Sequence, residues 1–156
     1  MKIYFYATRE KYGCFSNFSA HGFELDGLYW STSEHYFQAQ KFPKTADAEQ
    51  IRFAKTPKEA AKMGRERTRP LRPDWEQVKD DIMQKAVLRK FEIHADIREI
   101  LLSTKDAEIV ENSPIDYYWG CGADGSGKNK LGIILMEVRE ILRHTYDTNA
   151  DNSLSE

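Results

Sequence analysis

Residues 31–43 read Ser-Thr-Ser-Glu-His-Tyr-Phe-Gln-Ala-Gln-Lys-Phe-Pro, a stretch that contains both a helix start and a helix stop. Ser31 with Glu34 three residues later fits a capping box, and Pro43 cannot continue a helix. The sequence therefore predicts a short helix over about 33–42. Aromatic and small side chains cover most of its surface, which predicts that the helix is largely buried.

Three long polar side chains share one face of this predicted helix. Glu34, Gln38 and Lys41 are spaced i, i+4 and i+7, so they project from the same side. One explanation is structural: Glu34 completes the cap, and Lys41 lies near the helix C-terminus, where a cation is favourable. The other is functional, because polar groups on a buried helix need partners or a cavity. Spacing alone leaves both explanations open.

The flanking sequence predicts a small β element followed mainly by helices. Residues 2–8 alternate in hydrophobicity, and Asp26-Gly27 separates two short β-type runs, as in a two-residue hairpin. Thr56-Pro57 begins a second helix that reaches about Arg65. Further elements follow along the chain: a long helix over about 74–92, another around 97–102, a short strand at 108–110 and a last helix over about 130–144.

The bulk composition is typical of one soluble domain. The chain has 156 residues, of which 40% are hydrophobic and 31% charged, and its net charge of −2 gives no general attraction to nucleic acid or membranes. We predict one domain over 1–145 and a polar, disordered tail over 146–156. Because there is no apolar signal core, no membrane-length apolar run and only two cysteines, we expect a reduced, cytoplasmic protein.

A glycine-rich loop from Gly122 to Lys128 superficially matches the nucleotide-binding P-loop. Asn129 follows the lysine, however, where a P-loop needs Ser or Thr to hold magnesium. Two interpretations remain. The loop either receives a phosphate or ribose on its backbone N–H groups and Lys128, or it is a surface turn capped by Asn129.

Four arginines, Arg65, Arg67, Arg69 and Arg72, crowd one proline-containing loop. Stiffened guanidinium groups would suit bidentate phosphate recognition, whereas a solvated run of charge is the alternative explanation. Trp119, beside the glycine-rich loop, is the best candidate for stacking on a base. The histidines and cysteines have no metal-ligand spacing, so no metal site is predicted.

Several sequence blocks together resemble the NADAR family. They are GCFSNF at 13–18, SEHYFQAQKF at 33–42, KMGR at 62–65, DYYWG at 116–120 and NKLGIILMEVR at 129–139. The resemblance extends over about residues 3–143 without long insertions. It implies an α+β fold, a compact and mainly helical single domain with a small N-terminal β element, as in the YbiA-like branch of the family.

The resemblance also implies an enzyme. YbiA-like members are N-glycosidases that cleave phosphoribosylamino-pyrimidine intermediates of riboflavin biosynthesis, and other branches remove ADP-ribose from guanine bases. Both substrates join ribose C1 to an exocyclic amine. We therefore expect hydrolysis of a small phosphorylated N-riboside. The alternatives are ADP-ribosyl hydrolysis on guanine, which would add a nucleic-acid partner, and a non-catalytic module that binds ADP-ribose or NAD-type ligands.

The same resemblance implies roles for individual residues. Lys41 is expected to be a nucleophile that exchanges with the exocyclic amine through a Schiff base, with Glu34 carrying protons and Asp116 handling ribose or a proton. In a second route, Glu34 and Asp116 stabilise an oxocarbenium-like transition state and direct water. The expected substrate contacts are Asn17, Arg65, Arg67, Trp119, Lys128 and Asn129. No cofactor, membrane contact or obligate protein partner is expected.

Overall fold

A computed structural model describes the backbone of residues 1–154 and the side chains of residues 1–146. This part of the chain contains six α-helices and four short strands, which confirms the predicted mainly helical α+β class. The strands are β1 (Lys2–Phe5), β2 (Phe23–Leu25), β3 (Leu28–Trp30) and β4 (Glu108–Glu111). The helices are α1 (Ser33–Ala39), α2 (Ala46–Arg52), α3 (Pro57–Gly64), α4 (Trp75–Ile93), α5 (Ala95–Ser103) and α6 (Lys130–Leu154).

Strands β2 and β3 form the predicted antiparallel hairpin, with Phe23 opposite Trp30. The turn residues Asp26 and Gly27 have φ angles of 55° and 80°. Two successive positive φ angles give a tight turn whose twist matches that of the paired strands, and glycine adopts them without steric cost. The hairpin prediction is confirmed.

Strand β1 does not pair with this hairpin. It lies parallel to β4, with Ile3 beside Ile109 and Phe5 beside Glu111. Alternation along β1 directs Ile3 and Phe5 into the core and leaves Tyr4 exposed. The alternating pattern predicts a strand but carries no information about a partner more than a hundred residues away, so the sequence did not reveal this pairing.

The N-cap of helix α1 lies one residue later than predicted, although the helix begins at Ser33, as predicted. Thr32, not Ser31, is the N-cap, because the Thr32 Oγ1 atom accepts the backbone N–H of His35 at 3.2 Å. Glu34 is therefore not the third residue of a capping box, and its carboxylate is free for other contacts. The helix also ends early, at Ala39, so Lys41 lies in the turn that follows rather than on the helix.

Helix α3 follows its predicted cap closely. The Thr56 Oγ1 atom accepts the N–H of Glu59 at 3.1 Å, and Pro57 occupies the first turn. Helices α4 and α5 and strand β4 also lie where periodicity predicts them. Helix α2 was not predicted. Because Ile51 is its one buried residue, its sequence has no apolar periodicity to detect.

Helix α1 packs between two hydrophobic clusters. Phe37 belongs to the first, with α4 and α6 residues such as Val87 and Leu135. Tyr36 and Ala39 belong to the second, which continues into the hairpin and the helices that follow it. All residues of α1 are buried, as the sequence predicts. A polar stripe on this helix therefore cannot reach bulk solvent and must face a partner or a cavity.

The last helix, α6, begins at Lys130 as predicted but extends to Leu154, beyond the predicted end near His144. The predicted tail over 146–156 lies almost entirely outside the residues whose side chains are described, so its disorder stays a prediction. Within the described residues, no helix is both long and apolar enough to span a membrane.

Candidate active site

A cavity of about 740 Å³ opens beside α1. Its volume lies within the range of roughly 300–1,000 Å³ that is typical of small-molecule sites. Helices α1, α3 and α4 form much of its wall, together with the loop after β1 and the segment after β4. Six of the predicted site residues line it: Asn17, Glu34, Lys41, Arg65, Asp116 and Trp119.

The polar stripe of α1 faces this cavity. Gln38 donates from Nε2 to Oε1 of Glu34 at 2.7 Å. Lys41 donates from Nζ to the carbonyl oxygen of Gly64 at 3.1 Å. The functional explanation of the stripe thus agrees with the geometry, although the turn after α1 rather than the helix itself carries Lys41.

Gly64 allows α3 to approach α1 closely. A Cβ atom at this position would lie 1.9 Å from Oε1 of Gln38, which leaves no room for a side chain. The same Gln38 oxygen is buried and has no hydrogen-bond partner within the described part of the chain. Because buried polar atoms are almost always paired, this oxygen is an unusual feature of the contact between α1 and α3.

The amino group of Lys41 is partly buried beside two aromatic rings. Its Nζ atom lies 6.0 Å from the ring centre of Phe37 and 5.7 Å from that of Trp75. Burial lowers the pKa of Lys41, and the charges of Arg65 and Lys79 lower it further, while Glu34 opposes them. A lysine with a lowered pKa supplies more of the neutral amine that acts as a nucleophile.

The pKa of Glu34 is shifted in the direction opposite to that of Lys41. The residue is only 7% exposed, and burial raises the pKa of its carboxyl group. The hydrogen bond from Gln38 and the charges of Arg65 and Lys41 work against this shift, and Asp116 adds to it. A carboxyl group with a raised pKa exchanges protons nearer neutral pH than an ordinary glutamate does, which suits a proton carrier.

Asp116 is held by backbone hydrogen bonds. Its Oδ1 atom accepts the N–H groups of Tyr118 at 2.9 Å and Trp119 at 2.8 Å. Its own N–H group donates to Oγ of Ser113 at 3.1 Å. The indole of Trp119 packs edge-to-face against Phe37, with ring centres 5.2 Å apart. The two residues therefore give the cavity a fixed carboxylate and a rigid aromatic wall.

Asn17 lies at the cavity wall but its amide is already engaged. Its Oδ1 atom accepts from Oγ of Ser33 at 2.9 Å, and its Nδ2 atom points to the sulfur of Met83 at 3.3 Å. Its carbonyl oxygen accepts the N–H of Glu34 at 3.2 Å. Asn17 thus fixes the start of α1, and a direct substrate contact stays a prediction.

The four arginines have different surroundings. Arg65 reaches the cavity, whereas Arg67 is exposed and does not line it. Arg69 forms ion pairs with Asp47 and Glu66. Arg72 pairs with Asp74 and donates its backbone N–H to the carbonyl of Lys41, so it supports the turn that carries the lysine. The prediction of a phosphate contact is therefore consistent with the position of Arg65 and not with that of Arg67.

Lys128 and Asn129 are not in this cavity, contrary to the prediction. They line a second, smaller cleft of about 380 Å³ beside β1 and β4. Asn129 donates from Nδ2 to the carbonyl of Ile109 at 2.8 Å and accepts the N–H of Glu111 at 2.9 Å. These bonds satisfy the free edge of β4, a structural role that differs from the predicted cap of a surface turn.

This role of Asn129 predicts a loss of stability without a loss of substrate affinity. Asn129→Ala leaves two β4 backbone groups unpaired, and we expect urea unfolding to show a loss of about 3 kcal/mol. At urea concentrations well below the unfolding midpoint, the KM of Asn129→Ala should equal that of the wild type. Lys128→Ala is the matched control and should change stability by less than about 0.5 kcal/mol. An unchanged midpoint with a raised KM would instead make Asn129 a substrate contact.

A family model for the NADAR domain matches residues 4–143, which include the whole cavity. The chain belongs to the NADAR family.

The relatives of this NADAR chain include N-glycosidases. An N-glycosidase of Nostoc punctiforme is 56% identical over 92% of this chain and 94% of its own length. The Escherichia coli N-glycosidase YbiA is 53% identical over 90% of this chain and 88% of its own length. The NMR structure of YbiA superposes with a TM-score of 0.86 at 50% identity, covering 94% of this chain and 89% of that one. A chloroplastic riboflavin biosynthesis protein of Zea mays, PYRR, is 40% identical over 96% of this chain but only 26% of its own length.

The NADAR cavity also contains residues that the sequence did not single out. Glu111 enters from the end of β4, and Lys58 and Lys79 enter from α3 and α4. In sequence, Glu111 is an ordinary acidic residue at a strand end, and the two lysines look like surface residues of amphipathic helices. Only the tertiary arrangement brings them to the cavity. Within residues 1–146, no group of three or more His, Cys, Asp or Glu side chains is arranged to hold a metal ion.

Proposed function

We propose that this chain hydrolyses the C1–N bond of phosphoribosylamino-pyrimidine intermediates of riboflavin biosynthesis and releases ribose 5-phosphate. The coarser activity follows from relatives 53–56% identical: the chain is an N-glycosidase, a hydrolase that acts on N-glycosyl compounds. The observation that carries the finer proposal is the placement of Lys41 beside Glu34 in one cavity, with their pKa values shifted in opposite directions.

The choice of substrate is supported by chemistry and by one relative. The maize protein's name connects this domain to riboflavin biosynthesis. In a phosphoribosylamino-pyrimidine, ribose C1 is joined to an exocyclic amine, so the sugar ring can open to an imine. A primary amine can then exchange with the base at C1. A lysine can therefore act as a nucleophile on this substrate, whereas it would have no such role on a riboside joined to C1 through a ring nitrogen.

The proposed reaction begins with ring opening and attack by Lys41. The neutral Nζ atom adds to the C1 imine, and Glu34 moves the proton released from Nζ to the opened ring oxygen. The C1–N bond to the pyrimidine then breaks, which leaves a Schiff base between C1 and Lys41. Water adds to that imine and displaces the lysine, and the sugar closes again as ribose 5-phosphate. Asp116 is proposed to hold the ribose hydroxyls, and Trp119 to stack against the pyrimidine.

The phosphate is proposed to bind at the cationic side of the cavity. Arg65, Lys58 and Lys79 all line it, and an arginine fork matches a phosphate group better than a lysine does. The charges of Arg65 and Lys79 also lower the pKa of Lys41, so these two residues would serve both binding and catalysis.

Arg65→Ala tests this assignment. Because a charge-assisted hydrogen bond contributes about 1.5–3 kcal/mol, we expect KM for the phosphorylated substrate to rise roughly 10- to 100-fold. KM for the dephosphorylated riboside should hardly differ between the variant and the wild type. Arg67→Ala is the matched control, since Arg67 belongs to the same loop but lies outside the cavity lining. Equal effects of the two substitutions would contradict a specific phosphate contact.

The substrate itself is tested by competition among candidate ribosides. We expect kcat/KM for the phosphoribosylamino-pyrimidines to exceed that for ADP-ribosylated guanosine by at least an order of magnitude. The opposite ranking would favour the ADP-ribosyl hydrolase activity. Binding of all the compounds without turnover would leave only a ligand-binding module, a result at odds with the N-glycosidase relatives.

A further inference from the structure

Glu111 is the carboxyl group of the cavity that the reaction above does not use. Its side chain lines the cavity from the end of β4. Its Oε2 atom is buried and has no hydrogen-bond partner among the residues whose side chains are described. Buried polar atoms in folded proteins are almost always paired, so this oxygen calls for a proton or a ligand.

The backbone of Glu111 is fixed on both sides. Its N–H group donates to Oδ1 of Asn129 at 2.9 Å, and its carbonyl oxygen accepts the N–H of Cys121 at 2.9 Å. Since β1 and Asn129 anchor β4, the carboxyl group is presented to the cavity from a rigid strand rather than from a mobile loop.

The surroundings of Glu111 favour its protonated form. Burial, followed by the nearby charges of Asp116 and Glu34, raises the pKa of Glu111 to about 7. Glu34 differs, because the hydrogen bond from Gln38 and the charges of Arg65 and Lys41 favour its carboxylate form. Burial also raises the pKa of Glu34, but these contacts oppose that shift, whereas no such contact opposes it at Glu111, so Glu111 is the better candidate for the acid of the pair.

We propose that Glu111 is a catalytic acid of the N-glycosidase reaction, which protonates the exocyclic nitrogen of the leaving pyrimidine. This assignment rests on the proposed function. The proton moves from the Glu111 carboxyl group to the leaving nitrogen as the electron pair of the C1–N bond goes to the same atom. The lone pair of the Lys41 nitrogen completes the Schiff base at C1.

The proton is returned when water enters. Water attacks C1 of the protonated Schiff base, its hydroxyl group stays on C1, and its remaining proton passes through Glu34 to the Glu111 carboxylate. The hydroxyl proton then moves to Nζ as the electron pair of the C1–Nζ bond goes to the same atom, which frees the aldehyde form of the sugar and neutral Lys41. Each turnover consumes one water molecule and releases one amine and one sugar. Lys41 and both carboxyl groups return to their starting forms. The cycle therefore requires no oxidant, reductant or additional reactant.

The test compares two leaving groups in Glu111→Gln, which keeps the shape of the protonated side chain. On a phosphoribosylamino-pyrimidine, kcat should fall on the order of 10²- to 10³-fold, as expected when general acid catalysis is lost. On ribosylamine 5-phosphate carrying 4-nitroaniline, whose nitrogen needs less help to leave, the loss should shrink to roughly 10-fold or less. A residue with a merely structural role would reduce both rates equally.

The pH profile gives a second measurement. Wild-type kcat should decline as pH rises through about 7, where Glu111 loses its proton. Glu111→Gln should lack this decline, and Glu111→Asp should recover part of the activity together with the decline. Glu108→Gln, on the exposed side of the same strand, should match the wild type.

The possible outcomes distinguish the role of Glu111 from the proposed function. An active wild type with equal losses on both leaving groups, or with an unchanged Glu111→Gln variant, overturns the role of Glu111 and leaves the proposed function standing. A wild type that releases sugar from neither riboside overturns the proposed function and this assignment with it. The role of Glu111 as a catalytic acid is supported if Glu111→Gln loses less kcat on the 4-nitroaniline riboside and its kcat does not decline as pH rises through about 7.

Discussion

Lys41→Ala is expected to lower kcat by more than about 10³-fold, because the variant has no amine to exchange with the substrate at C1. Lys41→Arg should be nearly as inactive. Its guanidinium group keeps the positive charge but is not a nucleophile at any accessible pH. Charge alone would therefore not explain the requirement for lysine. Steady-state kinetics on the phosphoribosylamino-pyrimidine measures both losses.

Borohydride trapping supplies the direct test of this covalent step. Reducing the wild type during turnover should attach the sugar phosphate to the peptide that contains Lys41. Lys62→Ala, which removes a lysine of α3 that lies outside the cavity lining, is the control and should trap normally. Absence of an adduct, combined with substantial activity in Lys41→Ala, would favour the route in which Glu34 and Asp116 stabilise an oxocarbenium-like transition state.

Glu34→Gln is expected to lower kcat by roughly 10²- to 10⁴-fold, while the folded state becomes more stable at neutral pH. The activity falls because no group then carries the proton from Lys41 to the ring oxygen. The stability rises because burial disfavours the carboxylate of Glu34, a cost that the neutral amide avoids.

The size of this stability change depends on pH. The folded-state pKa of Glu34 is raised above 4.5, so between the two pKa values the folded state binds more protons than the unfolded state. Wild-type stability should therefore fall as pH rises above 4.5, and the stabilising effect of Glu34→Gln should vanish below that value. Thermal unfolding at pH 4 and pH 7.5 checks this. A variant less stable than the wild type at pH 7.5 would show that Glu34 has a structural role.

Much of the fold is predictable from local signals. The Thr56-Pro57 cap, the Asp26-Gly27 turn and the periodicity from Trp75 onward each give the right element, because each uses contacts between residues close in sequence. The parallel pairing of β1 with β4 depends on packing between distant residues, so periodicity does not reveal it. Helix α2 was not predicted because it buries only Ile51.

Some residues of the candidate site can likewise be predicted from the sequence, and others cannot. The stripe of Glu34, Gln38 and Lys41 could be predicted from its spacing, although the lysine lies past the end of the helix. Asn129 looks like a ligand contact in sequence, and only the edge of β4 explains its amide. Glu111 has no distinguishing neighbours in sequence, and its importance appears only when β4 brings it to the same cavity as Glu34.

The release of ribose 5-phosphate from a phosphoribosylamino-pyrimidine tests the central claim most directly. With the purified wild-type chain, we expect one ribose 5-phosphate for each free pyrimidine, at a rate far above spontaneous hydrolysis and nearly abolished in Lys41→Ala. Sugar phosphate released no faster than in buffer would contradict the proposed N-glycoside cleavage, and release equally fast with Lys41→Ala would contradict the role of Lys41 as the nucleophile.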